Sequence, residues 1–186
     1  LQESYSSLEQ KIEARTRELR KALEEVRALN DIGQAVSSTL DLPTVLTTII
    51  ERAVALSGSH GGIIYEFDES TQTFHAKATF RITPEHLEAV RADPIRLGEG
   101  AIGRAGMMRE PVEVADIADE HRTVAPQTRG LLTHEGMRSL LAVPLVRDER
   151  LLGGLVILRR EMGSFAADVI ATLQTFATQS VLAIQN

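Results

Sequence analysis

The stretch Leu97-Gly98-Glu99-Gly100-Ala101-Ile102-Gly103-Arg104-Ala105-Gly106, running on into Pro111-Val112-Glu113-Val114-Ala115-Asp116-Ile117, decides how the chain is read. Its glycines punctuate a loop that turns into a short helix, since glycine admits backbone angles that a side chain forbids and lets other chain come close. Ala101, Ile102 and Ala105 give about two turns of that helix one apolar face. Pro111 stops the turn and opens Val112-Glu113-Val114, an alternating, strand-like piece. A short helix held by glycines over a strand makes a lid for a cavity. A phosphate loop is the competitor, but neither G-x-G-x-x-G nor G-K-[ST] occurs here.

A second block follows: Gly136-Met137-Arg138-Ser139-Leu140-Leu141-Ala142-Val143-Pro144-Leu145, then Leu152-Gly153-Gly154-Leu155-Val156-Ile157. Together L-G-E-G-A-I-G-R-A, the Arg109-Glu110-Pro111 turn, V-E-V-A-D-I and this second block resemble the signature of GAF domains in order and spacing. The resemblance covers roughly Thr39 to Asn186. It implies a fold, and a scaffold that binds small molecules and signals. It does not imply one ligand, because a fold hosts many functions.

The totals agree with one domain plus an extension. The chain has 186 residues, of which 43% are hydrophobic and 25% charged, so a real core is available. A net charge of −6, with arginines scattered along the chain, argues against a dedicated nucleic-acid surface. There are no cysteines, which excludes disulfides, thiolate metal sites and thiol catalysis. It also removes covalent bilin attachment and thiol-based methionine-sulfoxide reduction, two activities found among GAF relatives. Unbroken apolar runs fall short of the roughly 18 residues that span a bilayer, so no membrane contact is expected. The chain begins at Leu1 without Met and reads as a piece of a longer protein.

Residues 1–40 read as one helix. Leu1, Tyr5, Leu8, Ile12, Arg15, Leu19, Ala22, Val26, Leu29, Gly33, Val36 and Leu40 alternate steps of four and three, a heptad seam with Glu, Lys, Arg, Gln and Ser between. A coiled coil about 60 Å long is expected, pairing two copies. The run Leu8 to Leu19 also resembles the connecting helices of bacterial sensor histidine kinases.

Residues 41–186 read as the sensory domain. Asp41 and Pro43 open a helix that Gly58 ends. Gly61–Phe67 and Phe74–Phe80 form a hairpin around Asp68–Gln72, and Thr83-Pro84-Glu85 opens a short helix. Asp119–Glu135 reads as a long irregular loop, functional or mobile. Arg138–Val146 and Leu151–Arg159 form a second hairpin. Ser164 is the expected cap of the last helix, with Asp168 in its first turn.

Candidate site residues follow from the resemblance and from the irregular segment. In GAF domains that segment closes over the ligand. His121 and His134 flank it, and a neutral imidazole there ligates heme iron or hydrogen-bonds a ligand. Arg122 and Arg129 would pair with an anionic ligand. Asp116, Met137 and Ser139 complete the ligand-binding set. Each has a plain alternative: a loop histidine, a surface arginine, a turn-capping aspartate, a core methionine. His60 and His75 are expected at a loop and a strand surface, His86 on the exposed side of its helix. The histidines are dispersed, without H-x-x-x-H or H-E-x-x-H, so no metal site is expected and no cofactor is assigned. Cyclic-nucleotide-binding relatives carry an Asn-Lys pair, then Phe and an Asp-Glu pair. Only Phe165 and Asp168 echo these, which argues against that ligand. No G-x-S-x-G or other nucleophile arrangement occurs, so no catalytic residue is expected.

The expected fold is α/β, of the α+β kind: a GAF-like antiparallel sheet of five or six strands behind a long coiled-coil helix. The second helix, the last helix and the end of the long helix should cover one face. The helices are expected on that face alone, and the loops from Thr83 to Glu135 should cover the other and enclose a cavity. The expected function is a cytoplasmic, non-catalytic input or relay module of a bacterial sensor histidine kinase, dimeric through residues 1–40 and feeding a downstream kinase domain. The rivals are a ligand-free dimerising relay and, third, an enzyme. A polar cavity of about 300 Å³ or more favours the sensor and a collapsed one the relay.

Overall fold

The computed structural model describes residues 2–39, 41–120 and 123–185, and in the first helix the side chains of residues 4–29. Two compact units result, Leu1–Asp41 and Leu42–Asn186.

The first unit is helix α1, Gln2–Thr39. Along it Tyr5, Leu8, Ile12, Leu19, Val26 and Leu29 of the heptad seam are exposed. Its interior holds no proline, and Leu, Ala, Glu, Lys and Arg dominate, all good helix formers.

The second unit runs α2 (Leu42–Leu56), β1 (Gly61–Asp68), β2 (Thr73–Phe80), α3 (Pro84–Ala92), β3 (Ile95–Arg96), α4 (Gly100–Met108), β4 (Val112–Val114), α5 (Pro126–His134), β5 (Ser139–Arg147), β6 (Arg150–Arg159) and α6 (Ala167–Gln185). The strands form one six-stranded sheet in the order β3-β2-β1-β6-β5-β4. Its five pairings are all antiparallel. The fold is α/β with a six-stranded antiparallel sheet, as expected.

Each sheet face carries its own core. On one, α2 and α6 pack Leu46, Ile50, Leu173, Phe176, Ala177 and Val181 against Ile64, Leu141, Leu145, Leu155 and Ile157. On the other, α3, α4 and α5 bring Val90, Ala101, Ile102, Ala105 and Leu132 onto Ile63, Tyr65, Phe74, Leu140, Val156 and Leu158. Alternation along β1, β5 and β6 sends neighbouring side chains to opposite cores, so these central strands read as unbroken apolar runs. The glycine-rich stretch does what its composition requires. A Cβ on Gly103 would collide with the carbonyl oxygen of Arg96, so only glycine lets α4 lie against the chain that precedes it.

Three expectations change, and one strand goes beyond them. Asp119–Glu135 is not wholly irregular, and the face it covers carries helices as well as loops: Pro126 opens α5, its ring fixed in the helical region where the missing N–H is not needed. Helix α6 starts at Ala167, past Ser164, because Phe165 first turns into the core. The two-residue strand β3 was too short to show a period. His86 is buried, not exposed. The expected share of α1's end in the α2–α6 face rests on side chains past residue 29, which are not among those described.

Candidate functional site

Between the sheet and α3, α4 and α5 lies a cavity of about 30 Å³. Ile63, Ile95, Ala101, Ile102, Leu132 and Leu158 make most of its wall, and Tyr65, His86 and Thr128 are its polar members. That volume admits water-sized occupants and is far below the ~300 Å³ at which ordinary ligand pockets begin.

The polar side is built by two helix ends. Thr83 caps α3: its hydroxyl oxygen accepts the backbone N–H of His86 at 3.2 Å. The same hydroxyl donates to the carboxylate of Glu135, the residue that ends α5. The other carboxylate oxygen of Glu135 lies 3.7 Å from His86 Nδ1. His86 is 2% exposed, and its Nδ1 has no hydrogen-bond partner in the structure. Burial holds the His86 pKa below the ordinary histidine value, against the opposing pull of Glu135, so the ring is neutral near pH 7. Burial also raises the Tyr65 phenol above its ordinary value, leaving it a permanent O–H. Its ring meets Phe74 edge-on, with centroids 6.4 Å apart. Thr128 is buried and returns its hydroxyl to the Ala125 carbonyl at 3.2 Å.

Of the residues proposed from sequence, Asp116, Arg129, His134, Met137 and Ser139 are not in the cavity wall. His121 and Arg122 lie outside the described residues. His134 is exposed at the end of α5. Arg129 is half-buried on α5 and donates to the Val124 carbonyl at 3.2 Å. Met137 packs in the core. Asp116 accepts the N–H of Ala118 at 3.1 Å and pairs with Arg138 at 3.4 Å.

Ser139 is fully buried away from the cavity wall, giving its proton to the Glu161 carbonyl at 2.7 Å and accepting Arg159 Nε at 3.0 Å. With Asp116 and Arg138 it belongs to a clasp that holds the chain leading into α6. Gly163 N–H reaches the Ala115 carbonyl at 2.8 Å, Phe165 N–H reaches Glu113 at 2.7 Å, and the Arg159 guanidinium lies 3.9 Å from the Phe165 ring centroid.

Sequence reasoning missed His86, Glu135 and Tyr65. The signal for His86 was its spacing from Val90: four residues apart on one helix, they share the buried face. Among the described residues, no group of three or more His, Asp or Glu side chains is placed to hold a metal ion.

The family model for the GAF domain matches residues 39–185. The chain belongs to the GAF domain family. Such domains are generally regulatory, signalling modules.

Among solved structures, the chain is similar to the GAF domain of a phosphoenolpyruvate-protein phosphotransferase from Coxiella burnetii: 26% identity, TM-score 0.69, 86% of this chain and 92% of that one. It is similar to a domain of a putative two-component sensor histidine kinase from Sinorhizobium meliloti, at 22% identity and TM-score 0.64, over 79% and 92%. It is similar to free methionine-R-sulfoxide reductase from Neisseria meningitidis, at 18% identity and TM-score 0.64, over 81% and 83%. The last two likenesses speak to fold alone. No curated protein matches the chain. This GAF domain has no cysteine, so thiol chemistry is closed to it whatever its fold neighbours do.

Proposed function

We propose that this GAF domain is the non-catalytic, cytoplasmic input module of a bacterial sensor histidine kinase. It reads a small molecule through the cavity beneath α3 and α5, and passes the signal to a downstream kinase through paired helices, α1 forming a parallel homodimer. The observation that carries the reading is the neutral His86, whose Nδ1 has no hydrogen-bond partner, at the wall of a mostly apolar cavity beside Tyr65. A compact neutral ligand that hydrogen-bonds an imidazole or a phenol fits this chemistry. Glu135 and Thr83 tie α3 to α5, so a ligand that displaces His86 would disturb both helices together.

The second reading, a relay whose cavity is filled by its own side chains, is favoured by the cavity's volume of about 30 Å³.

Native mass spectrometry and a visible absorption spectrum of the purified chain separate the two. A co-purified small mass or absorption band that His86→Phe abolishes, with the fold kept by circular dichroism, supports the sensor. A bare polypeptide mass and a featureless visible spectrum in both proteins support the relay.

A further inference from the structure

The β1–β2 turn and the β5–β6 turn lie at the same end of the sheet, since Glu66 of β1 pairs with Gly153 of β6. The last residues of α4 come down between them, and the three pieces enclose a hollow of about 380 Å³. That volume is within the range of ligand pockets. The hollow is open to solvent and shares no residue with the wall of the cavity beneath α3 and α5. Phe67, Leu97, Met107 and Leu151 give it an apolar floor. Its walls are tied to one another. Leu97 N–H reaches the Gln72 carbonyl at 3.0 Å, the Gln72 amide reaches the Glu69 carbonyl at 2.8 Å, and the Arg109 guanidinium donates to the Glu149 carbonyl.

The charges around this floor are of both signs. Arg150 and Glu69 neutralise each other at 3.2 Å, and Asp148 lies 3.9 Å from Arg147. Arg109 and Glu149 remain: among the described residues neither makes an ion pair. Backbone strain gathers in the same place. Five described residues other than glycine have positive φ, and four of them, Gln72, Arg109, Asp148 and Glu149, line this hollow. Glycine and asparagine take such angles at less cost. Long polar side chains held at strained positions around one concavity are what a binding site shows.

We propose that this hollow binds a free α-amino acid with an aromatic side chain. An anion alone would face the carboxylates of Glu69 and Glu149 as well as Arg109, and a cation alone would face the Arg109 guanidinium. A ligand with both charges on one carbon sets its carboxylate on Arg109 and its ammonium on Glu149. The Met107 thioether and the Phe67 ring suit an aromatic body, because sulfur–ring and ring–ring contacts add to the gain from burial. Met107 is 58% exposed, and the ligand would cover it. An internal residue of a peptide fits less well, since it carries neither charge. This site is independent of the cavity beneath α3 and α5 and of the pairing proposed for α1.

L-Phenylalanine, 3-phenylpropanoate and 2-phenylethylamine make the test, the second lacking the ammonium and the third the carboxylate. In the full chain, L-phenylalanine should bind with a dissociation constant of about 1 mM or lower, and each analogue at least about tenfold more weakly. Its amide NMR shifts should centre on Gln72, Arg109 and Glu149 and leave His86 unmoved. Arg109→Gln should weaken L-phenylalanine at least about tenfold, and Arg104→Gln, on α4 but outside the hollow, should not. Glu149→Gln should also weaken it and should narrow its lead over 3-phenylpropanoate. Circular dichroism checks that each variant folds. No shift at about 10 mM L-phenylalanine overturns the proposal. Either analogue binding as tightly as L-phenylalanine overturns it, because the site then reads one charge only. Shifts centred on His86 place the ligand in the other cavity and overturn it as well.

Discussion

Ile102 on α4 occupies the space that a side chain at Gly154 on β6 would need: a Cβ built there falls on the Cδ1 of Ile102. The L-G-E-G-A-I-G stretch and the Leu152-Gly153-Gly154 stretch are therefore two halves of one contact, although 52 positions separate Ile102 from Gly154. Close packing of this kind tolerates no added methyl without a shift of α4. Gly154→Ala should cost about 1–3 kcal/mol, and Ile102→Ala about 2–5 kcal/mol through the cavity it leaves. The double variant should be more stable than the sum of the two by about 1 kcal/mol or more, because each change makes room for the other. Urea unfolding of the four proteins checks this. Simple additivity would show that α4 does not press on β6 at this point.

His86 should make stability depend on pH in one direction. Its pKa is lowered by burial in the folded state, so below the ordinary value near 6.5 the unfolded chain binds the extra proton more readily. The contribution is full above that pH and falls as the pH drops through the folded-state value. Glu135 moderates the loss without reversing its sign. Unfolding free energies of the wild type at pH 7.5 and pH 5.5 should differ by more than those of His86→Phe. Equal pH slopes in the two proteins would mean that the imidazole gains its proton in place.

Much of this was legible in the sequence. The glycine-rich stretch, both hairpins and the Thr83–Pro84 helix start could be read because each rests on a local rule: a turn, a cap or a period of two. What escaped has a common cause. Strand β3 has two residues, too few for any period. Helix α5 hides its pattern behind Gly130 and polar residues, and only Thr128 and Leu132 face inward. His86 looked like a solvent residue because its partner, Glu135, is 49 positions away, and no one-dimensional pattern joins them. The candidate set drawn from Asp116 to Ser139 brackets part of the cavity wall, Val124 to Leu132, but all its side chains except Met137 are polar, and the wall is mostly apolar.

Ser139 should behave as a structural residue. Its buried hydroxyl joins the Glu161 carbonyl to Arg159. Ser139→Ala leaves both without that partner, at a cost of about 1–3 kcal/mol. Because the clasp anchors the chain entering α6, hydrogen exchange should quicken at Glu161–Phe165 more than at α3. Unchanged exchange there would remove the clasp as the anchor of α6.

Cyclic AMP and cyclic GMP should not bind at micromolar concentration. The Asn-Lys element is missing, and the cavity of about 30 Å³ is an order of magnitude too small for a purine nucleotide. Calorimetry showing micromolar or tighter binding of either one would require α3 and α5 to open together and would refute the closed cavity as the resting state.

Arg15 should limit the strength of the α1 pair. It falls on a seam position otherwise filled by Leu, Ile, Val, Tyr, Ala and Gly, and it is exposed in the single chain. A polar residue at such a position lowers stability while fixing register, its stem lying along the interface as the guanidinium reaches water. Arg15→Leu should remove that cost. Burying a leucine contributes about 1.5–3 kcal/mol, and for a chain of this length each kcal/mol moves the melting temperature by about 2–4 °C. Helix melting at matched protein concentration, with molar mass from light scattering, should therefore show a dimer in both proteins and a rise of several degrees in Arg15→Leu. The rise should shrink on dilution, since only the paired form gains. A wild-type monomer, or an Arg15→Leu protein that melts no higher, would place the seam on a different set of α1 residues.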